Sequence, residues 1–132
     1  MMTNTLIVLD DDAIFHKIMD YAHANSNSYT HIYHNYEAEQ LLEYLYANRS
    51  DASSLPDVIF VDLYLPRMDG WEFLVHYEKL NSLHKERIVI VMLTTSLNSD
   101  DEVKAKAIKE VYAYRNKPLT KGMIKEIVDK SI

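Results

Sequence analysis

Cysteine is absent from the chain, which rules out disulfides, thiolate nucleophiles and cysteine-ligated metals. Long apolar runs are absent as well, and none approaches the ~20 residues that a bilayer span requires. The opening stretch MMTNTLIVLDDD has no basic region, and its apolar run extends only from Leu6 to Leu9. It reads as a strand and not as a signal peptide. Positive charge is in deficit. A net charge of −6 argues against nonspecific nucleic-acid binding, which needs Lys and Arg to neutralise phosphates. The basic residues between Lys104 and Lys130 are read as solvating charges on exposed helices. Repeats, low-complexity tracts and linkers are also missing. What remains is a chain of 132 residues, 48% hydrophobic, which suits one ordinary domain with a real core and excludes wholesale disorder. The simplest expectation is a cytoplasmic protein.

Apolar runs suited to buried strands occur at Leu6–Leu9, Val58–Val61 and Ile88–Leu93, with weaker ones at His31–Tyr33 and Val111–Tyr114. The strong runs are nearly continuous, as expected where helices cover both faces of a sheet. Helical spacing fills the intervals. Ala13–Ala24 carries Ile14, Ile18 and Tyr21 at i, i+4, i+7, with Asp11 or Asp12 placed to cap it. Glu37–Ala47 carries Ala38, Leu41, Leu42 and Leu45, and Trp71–Leu80 carries Phe73, Leu74, Tyr77 and Leu80. Ser99–Glu110 carries Val103, Ala107 and Ile108, and Thr120–Lys130 carries Ile124, Ile127 and Val128. Asn48–Pro56 reads as a polar loop. Strict alternation of strand and helix predicts an α/β fold. Its five-stranded parallel sheet is flavodoxin-like, (βα)5, in the order 2-1-3-4-5. Residues 1–132 are expected to form a single domain with no effector domain after it.

The ends of the strong strands carry the chemistry. The first ends in Asp10, Asp11 and Asp12, the third in Asp62, the fourth in Thr94, Thr95 and Ser96, and the fifth runs into Lys117-Pro118. In a parallel sheet these ends share one edge, so acids, a hydroxyl and a lysine from distant parts of the chain meet there. Carboxylates crowded at one point raise one another's pKa, and a divalent cation relieves that cost. Mg²⁺ prefers hard oxygen ligands and bridges to phosphate oxygens. Asp62 then serves as a nucleophile on a phosphoryl donor, giving an acyl phosphate. Lys117 supplies positive charge and Thr94 a hydroxyl donor to the phosphoryl oxygens.

The segments LIVLDDD at 6–12, VDLYLPRMDGWEF at 61–73, VMLTTS at 91–96 and NKPL at 116–119 together resemble a receiver domain of a two-component response regulator, of the single-domain chemotaxis-regulator type. The Asp-x-x-x-Pro-x-x-Asp-Gly element starting at Asp62 is the most specific of them, and the resemblance covers essentially the whole chain. It implies Asp62 as phospho-acceptor and Asp11 as the direct Mg²⁺ ligand. Asp10 would help, partly through water, and the Tyr64 backbone carbonyl would complete the protein's share. It implies Lys117 as the essential lysine, Thr94 as the switch hydroxyl and Tyr114 as the aromatic that turns inward when Thr94 moves. Pro118 would follow a cis bond. Tyr64 and Ser96 occupy the positions that tune phosphoryl lifetime, and a bulky Tyr64 would shield the acyl phosphate from water.

The implied partners are a sensor histidine kinase or phosphotransfer protein as phosphohistidine donor, and a separate downstream protein. The latter would be reached through the face of the Ser99 helix, the fifth strand and the Thr120 helix. Neither nucleic acid nor membrane is an expected partner, and the chain would be a monomer or a phosphorylation-dependent dimer. One departure is Lys109-Glu110-Val111 before the fifth strand, where the family often has Gly; here glycine occurs only at Gly70 and Gly122.

Bland readings compete at each position. Asp12 reads as a helix cap, and Asp69-Gly70 as a turn and cap. Thr95 and Ser96 also serve as caps for the helix that follows. Most of the ten tyrosines are core-rim residues, and only Tyr114 and Tyr64 are given roles. The six histidines form no HExxH-type pair; His31 and His34 in one strand point to opposite faces, and none is assigned a function. Two other functional classes stand beside the switch. LIVLDDDAI resembles the first motif of haloacid-dehalogenase-type phosphatases, with Asp10 as nucleophile and Asp12 as acid/base. That reading leaves Asp62 and its turn unexplained, and no adjacent pair of acids follows Lys117 to hold Mg²⁺. The other class is a receiver-like scaffold that takes no phosphate.

Overall fold

The computed structural model describes residues 5–26, 31–80, 87–117 and Gly122. The elements are β1 (Thr5–Leu9), α1 (Ala13–Ser26), β2 (His31–Asn35), α2 (Ala38–Ala47), β3 (Val58–Asp62), α3 (Gly70–Glu78), β4 (Val89–Thr94), α4 (Ser99–Lys106) and β5 (Val111–Asn116). All neighbouring strands run parallel, in the order β2-β1-β3-β4-β5. This is the flavodoxin-like sheet that strand–helix alternation predicts. The expected Thr120–Lys130 helix and the Lys117–Pro118 bond fall outside the described residues, Gly122 excepted. Among the described residues no helix is long and apolar enough to cross a membrane.

Period-two geometry explains the continuous apolar runs. Leu6, Val8, Val58, Phe60, Val91 and Leu93 face Phe15 and Met19 of α1. Ile7, Leu9, Ile59, Val61, Ile90 and Met92 face the opposite layer, which draws on α2, α3 and α4. Every central-strand residue therefore meets a core. The β4–β5 register slips between Ile90 and Val91, so that Ile90 pairs with Val111 but Val91 with Ala113. This irregularity leaves Tyr112 without a direct partner and sets Tyr114 opposite Met92.

The rotation of two helices departs from expectation. On α1 the stripe Ile14, Ile18 and Tyr21 faces outward, at 68%, 48% and 70% exposure, while Phe15 and Met19 are buried. The stripe that packs begins one residue later, at Phe15, Met19 and Ala22, with the same spacing, so periodicity alone does not choose between them. The helix start chooses. The Asp10 carboxylate accepts the Asp12 amide at 2.9 Å, Asp12 accepts the Ile14 amide at 2.9 Å, and His16 reaches back to the Asp10 carbonyl. On α4, Val103 and Ala107 are exposed; Ala105 is the buried residue and Ile108 packs only partly. That helix ends at Lys106 and not at Glu110. The Ile108 amide turns to the Ala105 carbonyl and the Val111 amide to that of Ile108, which brings the chain directly into β5. The polar loop at 48–56 contains a single 3-10 turn, Ala52–Ser54, capped by Asp51.

Candidate functional site

Strand order delivers the side chains. β1 and β3 are adjacent, Leu9 opposite Val61, so Asp10 emerges beside Asp62. β4 flanks β3, with Leu93 opposite Asp62, and β5 ends opposite Thr94. The Lys117 amide donates to the Thr94 carbonyl at 3.0 Å, which fixes the lysine's backbone at this edge. Asp10, Asp62 and Thr94 are all buried, an unusual concentration of polar side chains.

The β3–α3 loop shapes the floor. Gly70 starts α3 against the strand end, and a Cβ there would lie 2.7 Å from the Asp62 carbonyl oxygen and 2.9 Å from Leu63 Cα. Only glycine allows this approach. Asp69 and Glu72 form a capping box, with the Glu72 amide donating to Asp69 at 2.9 Å. Arg67 takes a left-handed backbone, φ 66°, and its guanidinium meets Glu39 at 3.4 Å and Glu37 at 3.8 Å.

Carboxylate oxygens of Asp10, Asp11 and Asp62 lie within 4.8 Å of one another. Lys117 Nζ pairs with Asp10 Oδ2, lies 3.8 Å from Asp62 Oδ2, and sits 4.4 Å from the centre of the Phe15 ring. The Tyr64 amide donates to Asp62 Oδ1 at 3.4 Å. Burial first, and then the Asp10 charge, push the Asp62 carboxyl up to about 6; Lys117 and the Tyr64 amide oppose this, and Asp11 adds to it. Three acids sharing one lysine are undercompensated. That donor set, all hard oxygens at short range, fits a divalent cation of the Mg²⁺ type.

Thr94 Oγ1 accepts the Ser96 amide at 2.9 Å. The Tyr114 ring lies inside, and its hydroxyl is buried beside Ser96. Tyr64 is half in water, and its hydroxyl donates to Asp101 at 2.6 Å. The Ser96 hydroxyl donates to the same Asp101 oxygen at 2.8 Å. The structure thus brings together Asp10, Asp11, Asp62 and Lys117, with Thr94 behind them and Tyr64, Ser96 and Tyr114 along one side.

Two features were not foreseen in the sequence. His16 is buried, and its Nε2–H donates to the Asp10 carbonyl at 2.7 Å. Its Nδ1 lies 2.5 Å from Nδ1 of His34, whose Nε2–H donates to Asp20 at 2.7 Å. The other is Asp101. Neither feature has a spacing signature, because each joins residues from different elements.

Comparison with known proteins shows the family. The response regulator receiver domain family matches residues 6–129. The probable methanogenesis regulatory protein FilR2 of Methanothrix harundinacea is 33% identical over 94 residues, 71% of this chain; the match spans 59% of that relative's length. A two-component response regulator from Cytophaga hutchinsonii superposes with a TM-score of 0.89 at 22% identity, covering 99% of this chain and 98% of its own. A response regulator receiver protein from Dyadobacter fermentans gives 0.83 at 24%, covering 98% of each chain. The phosphorylated cyanobacterial phytochrome response regulator RcpA gives 0.74 at 25%, covering 98% of this chain and 91% of its own. The chain belongs to the response regulator receiver domain family, whose members act in two-component signalling.

Proposed function

We propose that this protein is a cytoplasmic phosphorylation switch in which Asp62 accepts a phosphoryl group from a phosphohistidine. The observation that carries the reading is the meeting of Asp10, Asp11, Asp62 and Lys117 at one sheet edge. Asp11 and Asp10, with Asp62 and the Tyr64 carbonyl, would hold Mg²⁺. When bound, the ion neutralises charge on the phosphoryl and carboxylate oxygens. The Asp62 carboxylate attacks phosphorus, the donor's N–P bond breaks, and the acyl phosphate forms on Asp62. Lys117 shifts from the carboxylates toward the new phosphoryl oxygens, and Thr94 donates its hydroxyl to one of them. Tyr114 then repacks beside Thr94. The surface of α4 and β5 changes its preference for a downstream protein. Besides this, the chain's own chemistry is limited to gain and loss of its aspartyl phosphate.

Phosphatase chemistry at Asp10 has less support. Asp10 is buried and bonded at both oxygens, to the Asp12 amide and Lys117, and Asp12 is engaged in capping α1. The deciding experiment is intact-mass analysis after incubation with acetyl phosphate and Mg²⁺. Wild type is expected to gain one phosphoryl mass and Asp62→Asn none. An equal adduct on the variant would defeat the assignment, and the absence of any adduct on wild type would favour the phosphate-free scaffold.

A further inference from the structure

Asp101 lies in the first turn of α4, outside the acidic pocket, yet it receives the hydroxyls of both residues that border the pocket from above. Tyr64 stands two residues beyond Asp62, and Ser96 two beyond Thr94. Their hydroxyls reach the same oxygen, Asp101 Oδ2, at 2.6 and 2.8 Å. Each donor is tied in turn to the site. The Tyr64 amide donates to Asp62, and the Ser96 amide to Thr94 Oγ1. An unbroken chain of hydrogen bonds thus runs Asp62–Tyr64–Asp101–Ser96–Thr94. The carboxylate itself is held in place by the helix start, where Asn98 caps the Asp100 amide at 2.9 Å and accepts the Asp101 amide at 3.1 Å.

We propose that Asp101 is a positioning residue for the chemistry at Asp62: it clamps Tyr64 beside the acceptor and couples that clamp to Thr94 through Ser96. The inference rests on Asp62 being the phosphoryl acceptor. A Tyr64 ring that is 53% exposed has little packing to hold it, so its hydroxyl bond sets its position. Two donors on one charged oxygen make that bond stronger than a neutral contact. The tyrosine and serine bonds hold the Asp101 carboxyl below its usual range, so the clamp is charged at neutral pH. A Thr94 side chain that turns to a phosphoryl oxygen withdraws the acceptor of the Ser96 amide. Ser96 then shifts, Asp101 loses one of its donors, and the first turn of α4 loosens. Tyr114 borders the same knot: burial first, then the Asp101 and Tyr64 charges, push its phenol up. Asp101 therefore links how long the phosphoryl group lasts to how far α4 moves.

The test loads the protein with acetyl phosphate and Mg²⁺, removes the donor, and follows loss of phosphoryl mass. Asp101→Ala and Tyr64→Phe are each expected to shorten the half-life about fivefold, the factor carried by a hydrogen bond of ordinary net strength. The double variant is expected to match Asp101→Ala, because Tyr64→Phe breaks a contact that Asp101→Ala already removes. Asp101→Asn, which keeps an acceptor oxygen, falls between Asp101→Ala and wild type. Melting temperatures of the same samples separate positioning from stability, since a purely structural role would not couple Tyr64 to Asp101 in the half-life. An Asp101→Ala half-life equal to wild type, or single effects that multiply in the double variant, would overturn the inference while leaving the acceptor assignment intact. A wild type that takes no phosphoryl group on Asp62 would remove both.

Discussion

At Asp62, function works against folding. Burial and the Asp10 charge raise the carboxyl to about 6 from an ordinary value of 3.8. Between those values the folded state binds more protons than the unfolded one, so stability falls as pH rises. Above about 6 the penalty is complete, and below about 4 it is gone. Asp62→Asn is therefore expected to stabilise the metal-free protein at pH 7, by about 1–2 kcal/mol once solvent screening is allowed for. Urea melts across pH should show the two proteins converging below about pH 4; a gap that persists there would contradict this account. Added Mg²⁺ should raise the wild-type midpoint more than the variant's. Beside it, Tyr64→Asn replaces a ring held by Asp101 with a short amide, and the phosphoryl half-life is expected to fall; an unchanged or longer one would exclude Tyr64 as a shield. The acids, Thr94 and Lys117 were legible in the sequence because each follows a strand, and a parallel sheet places all such ends together. His16, His34 and Asp101 were not, because their contacts depend on helix rotation, which no local pattern specifies.

Element by element, strand positions were legible and helix faces less so. A strand has only two faces, and in β1, β3 and β4 both are buried, so assigning them is nearly automatic. A helix can be turned by 100° and still show an apolar period. α1 carries two such stripes, and the expected one, Ile14–Ile18–Tyr21, is the one in solvent. Met19→Ala should then lower unfolding free energy by about 3 kcal/mol, whereas Ile18→Ala should change it by about 0.5 kcal/mol or less. Equal effects in denaturant melts would return the helix to the orientation its sequence first suggests. α2 and α3 each carry one continuous apolar face, and there Ala38, Leu41, Leu45, Phe73, Leu74 and Tyr77 are buried as expected. At the start of α3, Gly70→Ala forces a methyl into the Asp62 and Leu63 backbone. A loss of about 2 kcal/mol is expected, together with slower phosphorylation by acetyl phosphate, because the strain falls on the acceptor's own peptide.

Across the whole molecule, the sheet gathers the acids at one end while α1 leaves an unused apolar stripe starting beside them. Ile14 stands two residues after Asp12, and Ile18 and Tyr21 continue the line for about 10 Å along the helix. Ile14, Ile18 and Tyr21 are expected to form a contact surface for a phosphoryl donor. Its position matters more than its size. A donor helix lying on this stripe would bring a phosphohistidine to Asp62, whereas a small phosphodonor needs no docking face. Ile18→Asp should therefore slow transfer from a phosphotransfer protein by about tenfold, a loss of roughly 1.4 kcal/mol in the docked complex. The rate with acetyl phosphate should not change, since Ile18 is half exposed and is not among the acids and lysine that form the pocket. The two rates are to be measured on the same preparation, with Mg²⁺ in excess. Equal slowing of both would mean that the substitution disturbs the pocket and not the docking. Unchanged transfer from the protein donor would mean that the stripe lies outside the donor interface, and the outward turn of α1 would then need another explanation.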